Sequence, residues 1–416
     1  MKFIRVGVCA LLAFGVIAHG GVEDWARAVF ETGAGFLFLS WALYVFVHRE
    51  EAIVFPRILP PLLAFFLLIL IQWAFRTTAS SYATRLELLL LSADIIVVFV
   101  AAQAFRRLED WRSFTWFLVI FGFLVAGFGI LQHLTFNGKL YWFREMRYGG
   151  IPFGPYVNRN HFASFAYLII PMSLVPLVLG KVRKERLVIV GILAIIPLAA
   201  TFLSASRGGI ISIVAEFAFL MIVLLVRRSA GKHVLVGAAV LALTLLLVSW
   251  IGVKQILARF ASLQTLEVSE SKRASMHHGA WRIFTDYPVL GSGLGTLQIV
   301  YPPYETQYDG KIVNHAHNDY LEALAETGFL GGLCCAWFLA TLFRSGFENI
   351  VRPSSAFAGV LHLAGLTACS GFLVHAFVDF NLHIPANALL FFIMALLATS
   401  DIQPPSTRLS RTVTSS

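Results

Sequence analysis

The chain has 416 residues, of which 58% are hydrophobic and only 13% charged, whereas a soluble domain carries roughly a quarter charged residues. That balance excludes a soluble globular enzyme. The net charge of +9 lies mostly in short segments between apolar runs, where membrane orientation accounts for it, so nucleic acid is excluded as a partner. Cys9, Cys334, Cys335 and Cys369 all sit inside apolar runs, which gives neither a disulfide framework nor a zinc pattern.

Apolar run length predicts about twelve spans, at 4–20, 26–47, 54–75, 86–105, 112–134, 161–179, 187–203, 208–226, 233–252, 320–344, 356–379 and 383–400. Helices are the expected form, because backbone polar groups in lipid must be satisfied within the segment. The fold expected is therefore all-α and polytopic. Residues 1–403 form one membrane-embedded domain, and 404–416 form a polar, disordered cytoplasmic tail. Residues 1–20 have a basic start and an apolar core, but further spans follow at once and no cleavage site is visible, so they are read as the first span. Arg27 and Glu31, at i,i+4, are read as an intrahelical pair.

Orientation follows from Lys and Arg. Arg106, Arg107 and Arg112, then Lys181, Arg183, Lys184 and Arg186, then Arg227, Arg228 and Lys232 fall on one side. That side is read as cytoplasmic, with both termini. Two long loops then lie outside, at 135–160 and 253–319, the second between spans nine and ten. Its start, 254–266, reads as an amphipathic interfacial helix, and its middle, 286–297, is rich in turn residues.

The outer face collects the chemistry. Arg207 follows Ser206 and precedes Gly208-Gly209 between two spans. An Arg there either snorkels to headgroups or clamps an anion, since its planar fork pairs phosphate at two points. The same parity puts Asn158, Arg159, Arg273 and His317 on that face. An anionic, lipid-borne substrate would need such a set. His315 and His317 form H-x-H, but no common zinc spacing is present, so no metal is expected. His315 fits a structural role at a helix start. His317 fits a general base, because a neutral imidazole near pH 7 can take a proton. Asp379, with His375 one turn before and His383 just after, either serves the site or orders the loop.

These residues resemble a known family. His317-Asn318, nine residues, Gly328, two residues and Gly331 are similar to the signature of bacterial O-antigen ligases, whose superfamily includes O-antigen polymerases and O-linked protein oligosaccharyltransferases. The run Gly154 to Ala163, Ser206-Arg207-Gly208, Arg273 upstream of Asp286-Tyr287-Pro288 with Gly291, Gly293 and Gly295, and Asp379-Phe380 with Pro385 fit too. The resemblance covers roughly residues 150–395. Residues 1–130 are matched only by span count and Gly20-Gly21-Val22. Gly332 departs from the small β-branched residue that ligases often carry, which bears on ligase against polymerase.

The resemblance implies a cofactor-free, metal-independent, inverting glycosyltransferase of the GT-C kind in the bacterial inner membrane, with its active site facing the periplasm. The donor implied is a glycan on undecaprenyl diphosphate. The acceptor is a sugar hydroxyl of the lipid A core in lipopolysaccharide biosynthesis, or a growing glycan or protein hydroxyl. By position, Arg207 and Arg273 would bind the diphosphate and His317 would serve the acceptor, with Asn158, Arg159, Asn318, Glu326 and Asp379 supporting. A transporter of lipid-linked glycan is the reading from another class. Transporters build midplane sites between repeated halves, whereas here the polar residues gather at one face and no repeat shows.

Overall fold

Every expected span is helical. The computed structural model describes the chain except residues 147–149, 228–230, 267–269, 309 and 405–416, and the side chains of 232, 252–266 and 270. The helices are α1 (Lys2–Ile17), α2 (Asp24–Val47), α3 (Leu59–Ala74), α4 (Ser81–Ala104), α5 (Leu108–Leu134), α6 (Arg159–Val178) and α7 (Leu187–Leu203). There follow α8 (Arg207–Val226), α9 (Gly231–Leu266), α10 (Glu270–Asp286), α11 (Leu297–Val300), α12 (Asp319–Val351), α13 (Ala356–His375) and α14 (Pro385–Thr399). No strand occurs among the described residues. Among the described residues nine helices are long and apolar enough to cross a membrane, which makes this a multi-pass membrane protein. The other three expected spans are α1, α3 and α14, at 16, 16 and 15 residues. They fall below the ~20 residues of a standard span.

The centre of the bundle is α6, whose apolar window is wholly buried, flanked by α13 and α14. Ala, Gly and Ser on α13 let it approach α6 and α8 closely. The loops fall at two ends. At one end Arg57 reaches Glu348 and Asp401, and Arg227 donates to the Ile350 carbonyl. At the other, which holds the site, His19 meets the Pro155 carbonyl and Asp319 N–H donates to the Ala376 carbonyl.

Two expectations change. Arg27 pairs across to Glu87 on α4 at 3.0 Å, because α2 packs on α4 and brings the two heads together at the helix ends. The helix expected at 254–266 is backbone-continuous with α9, whose 36 residues at 1.5 Å each run ~54 Å, well beyond a ~30 Å hydrocarbon core. Its amphipathic face involves side chains outside the described set, as does the tail from 405 on.

Over the site end lies a smaller layer made by α10, α11 and the 287–318 connection. It has its own core of Met276, Ile283, Leu297, Tyr301, Val313 and Ala316 against Ala325 of α12. The layer is fixed where α12 breaks. Gly328 takes φ +63, ψ −164 inside the helix, which frees carbonyls before it and N–H groups after it. Residues 288–293 fill the gap. Ser292 and Gly293 donate to the carbonyls of Ala325 and Glu326, both at 2.9 Å, and Phe329 and Leu330 donate to those of Pro288 and Val289, at 2.8 and 3.3 Å. A Cβ on Gly328 would collide with the Val289 backbone, so the position needs glycine for its dihedral and for space.

Candidate functional site

Three site-bearing helices start with a side-chain cap. Asn158 accepts from the Asn160 N–H at 2.9 Å and opens α6. Ser206 accepts from the Gly209 N–H at 3.1 Å and opens α8. Asn318 accepts from the N–H groups of Tyr320 and Leu321 at 3.1 and 3.0 Å and opens α12. The three starts, with α13's end and residues 376–384, meet at one end of the bundle. Two of them are preceded by non-glycine residues in the left-handed region, Ala205 at φ +53 and His317 at φ +53. Such strain persists only where the surroundings impose it, and it is common at functional sites.

The turn at His317 brings its ring to Asp379. Asp379 Oδ1 accepts from His317 Nδ1 at 3.3 Å, and the carboxylate is 1% exposed while the imidazole is 17% exposed. The bond makes Nδ1 the protonated nitrogen and leaves Nε2 as an acceptor. On the other side His375 Nε2 lies 3.9 Å from Asp379 Oδ2, and His375 Nδ1 is 3.1 Å from the Tyr167 hydroxyl, which donates to Ser164. Burial opposes ionisation of Asp379. The His317 hydrogen bond and the imidazoles of His161, His317 and His375 outweigh it and hold the carboxyl below the usual range. Phe380 is the common wall, with His315 stacked at 4.3 Å and His317 and His161 edge-on at 4.9 and 5.0 Å.

Arg207 and Arg273 both lie toward His375. Gly208, next to Arg207, has no room for a Cβ because His375 fills the space, so the exposed Arg207 stands beside the His375–Asp379 pair. Arg273 lies on α10, one turn before His277, and its charge is felt at His375 and His277. The His277 ring hydrogen-bonds the His317 backbone, and burial lowers its affinity for a proton. Arg159 is 2% exposed in the first turn of α6, two residues before His161.

Three of the sequence-selected residues serve backbone. Asn158 is the α6 cap and Asn318 the α12 cap. Glu326 is 1% exposed, and its oxygens accept from the N–H groups of Leu297 and Gly295 at 2.7 and 2.8 Å, which ties α11 to α12. Sequence reading passed over Glu322 and Tyr167. Glu322 binds His315 Nδ1 at 2.7 Å and the Ala316 N–H at 2.7 Å, and lies 3.3 Å from His383 Nε2. Burial disfavours a charged His315, yet the Glu322 carboxylate more than compensates and raises its pKa. The signal available was an acid in the first turn of a helix already marked by the signature. Tyr167 carried none, being one aromatic in an apolar span.

Beside the site a cavity of about 420 Å³ opens between α3, α4, α12 and α14. Leu62, Phe65, Leu339 and Phe392 line its apolar part, and Asp319 and His383 its polar end.

No curated protein matches the chain. Residues 192–336 match the family model described as O-Antigen ligase, a stretch that holds Arg207, Arg273 and the whole His317–Gly331 signature. The match suggests a glycosyltransferase-like enzyme of ligase or polymerase type, and the family it supports for this multi-pass chain is that of the O-antigen ligases.

Proposed function

We propose that the protein is an O-antigen ligase, transferring a glycan from undecaprenyl diphosphate to a sugar hydroxyl of the lipid A core. The observation that carries the reading is the His317–Asp379 pair, with an oriented, partly exposed imidazole whose carboxylate is backed by His375. His317 Nε2 takes the proton of the acceptor hydroxyl. The oxygen attacks the anomeric carbon from the face opposite the diphosphate, the bond from that carbon to the diphosphate oxygen breaks, and configuration inverts. Undecaprenyl diphosphate leaves with the added charge, which Arg207 and Arg273 stabilise as preorganised cations. Asp379 holds the imidazole in the right tautomer and stabilises it once protonated.

Arg159 and Asn158, at the start of α6, support the donor's glycan-diphosphate end. Asn318 and Glu326 act through the backbone they hold. The apolar cavity supports a place for a substrate's lipid chain. The Lys/Arg bias supports an inner-membrane protein with cytoplasmic termini and a periplasmic site. The histidines, Asp379 and Arg207 assigned to the site gather at one end of the bundle and the broken helix is sealed by its own chain, which favours transfer over transport, although Asp94 and Glu216 are buried within α4 and α8.

The test is reconstituted transfer from a defined prenyl-diphosphate donor, with lipid A core, free glycan and a protein acceptor offered separately. Product on lipid A core alone is expected. Product only on free glycan would make the protein a polymerase, and product only on protein an oligosaccharyltransferase.

A further inference from the structure

We propose that His315, Asp319, Glu322 and His383 form a binding site for a zinc-class divalent cation, distinct from the arginines assigned to the diphosphate. The donors converge from two turns of the chain. His315 Nδ1 is 2.7 Å and His383 Nε2 3.3 Å from the same oxygen, Glu322 Oε1. His383 Nε2 is 3.7 Å from Asp319 Oδ1. The donor atoms of His315, Glu322 and His383 all lie within 4.8 Å of one another. Around a tetrahedral zinc with bonds of ~2.0–2.2 Å, neighbouring donors stand ~3.3–3.5 Å apart. The two His383 distances lie near that figure; the His315–Glu322 contact has to open by ~0.7 Å, and Asp319, outside the group of three, has to close in on the other donors.

A second observation points the same way. Asp319 is 3% exposed, and its Oδ1, the oxygen that faces His383, has no hydrogen-bond partner. A buried carboxylate oxygen left without a donor is costly. Its other oxygen accepts from the Leu382 N–H at 3.2 Å, and Glu322 Oε2 from the Ala316 N–H at 2.7 Å. His315 is fixed against Phe380. The donors are thus oriented from behind, as the ligands of metal sites are. Two carboxylates and two neutral imidazoles sum to −2, which a divalent ion balances. Mixed imidazole and carboxylate donors select zinc over magnesium or calcium, which take oxygen alone.

The place of the site gives it a purpose. His315 and Asp319 flank His317 in one turn, and His383 follows Asp379 in the other. An ion joining the turns holds the base against its carboxylate. The four residues then position the base and do not touch the reacting atoms.

The experiment uses the full chain without an affinity tag, in detergent, stripped with chelator and titrated with zinc. Elemental analysis after gel filtration should find one zinc per chain, and calorimetry should show affinity at least tenfold weaker in Asp319→Asn and His383→Gln. Zinc should raise the melting temperature of the unaltered chain but not of these variants. Their zinc-free melts, matched to the unaltered chain's, show that they fold. Magnesium should do nothing, and His278→Ala, on α10, should bind zinc normally. No stoichiometric zinc, or equal retention by both variants, would overturn the proposal and leave a hydrogen-bonded cluster. Binding is read without turnover, so the result stands whatever the fate of the transferase reading.

Discussion

Gly208 packs directly on His375, so the first turn of α8, with Arg207, is seated on the imidazole that backs Asp379. A methyl group cannot enter without moving one of them. Gly208→Ala is expected to lower transfer at least tenfold and to destabilise by ~1–3 kcal/mol as overpacking does. Assay of the purified variant beside a thermal melt checks it, and unchanged turnover would show that the seating does not matter.

His317→Ala should leave donor binding intact while transfer falls by ~10²–10⁴. Asp379→Asn should come close to the same loss, because an amide does not stabilise the protonated imidazole and can favour the wrong tautomer. Single-turnover rates with bound donor separate chemistry from binding. Near-normal rates in the His317 variant would remove it from the mechanism.

The proposed arginine clamp would depend on geometry as well as charge. Arg207→Lys should be nearly as damaging as Arg207→Ala, since an ammonium cannot reproduce a planar two-point contact. A working Lys variant, with chelator-treated enzyme restored by magnesium or manganese, would assign the diphosphate to a metal instead. Restoration by zinc alone would point to the turn beside His317.

Glu326→Gln keeps the shape but puts an amide NH2 where one of the two oxygens accepts from the Gly295 and Leu297 N–H groups. A loss of ~1–3 kcal/mol is expected, with the Michaelis constant for donor little changed. A large rise in that constant at unaltered stability would give Glu326 a direct place on the substrate.

Topology can be read by fusion. A reporter active only in the periplasm should be active within residues 262–272 and silent after Gln403. The opposite pattern would invert the orientation and move the site to the cytoplasm.

The elements were legible because an apolar run of about twenty residues has few alternatives in lipid. The end of the bundle holding Arg207, His317 and Asp379 was legible because counting spans fixes which loops share a side. Pairings between helices were not. Arg27 had a partner at i,i+4 and a better one sixty residues on, at Glu87, and nothing local reveals helix packing. For the same reason the facing of His383 on His315 could not be read from H-x-H at 315–317, because His383 arrives from the far side of α13. Gly328 was visible as a signature residue, but its reason, a neighbouring backbone in the space of its Cβ, belongs to three dimensions.

The four backbone bonds at the α12 break also set the mechanics of the layer above the site. That layer is riveted to the bundle at residues 288–293, and lifting it there would leave the eight backbone groups of those four bonds unpaired. Residues 301–306 are held to α10 inside the layer by Tyr304–Asp286 and Ser275–Thr306, so the layer is one body fixed to the bundle at the α12 break. The same feature that ends one helix and begins another is the seam by which the layer is sewn to the bundle.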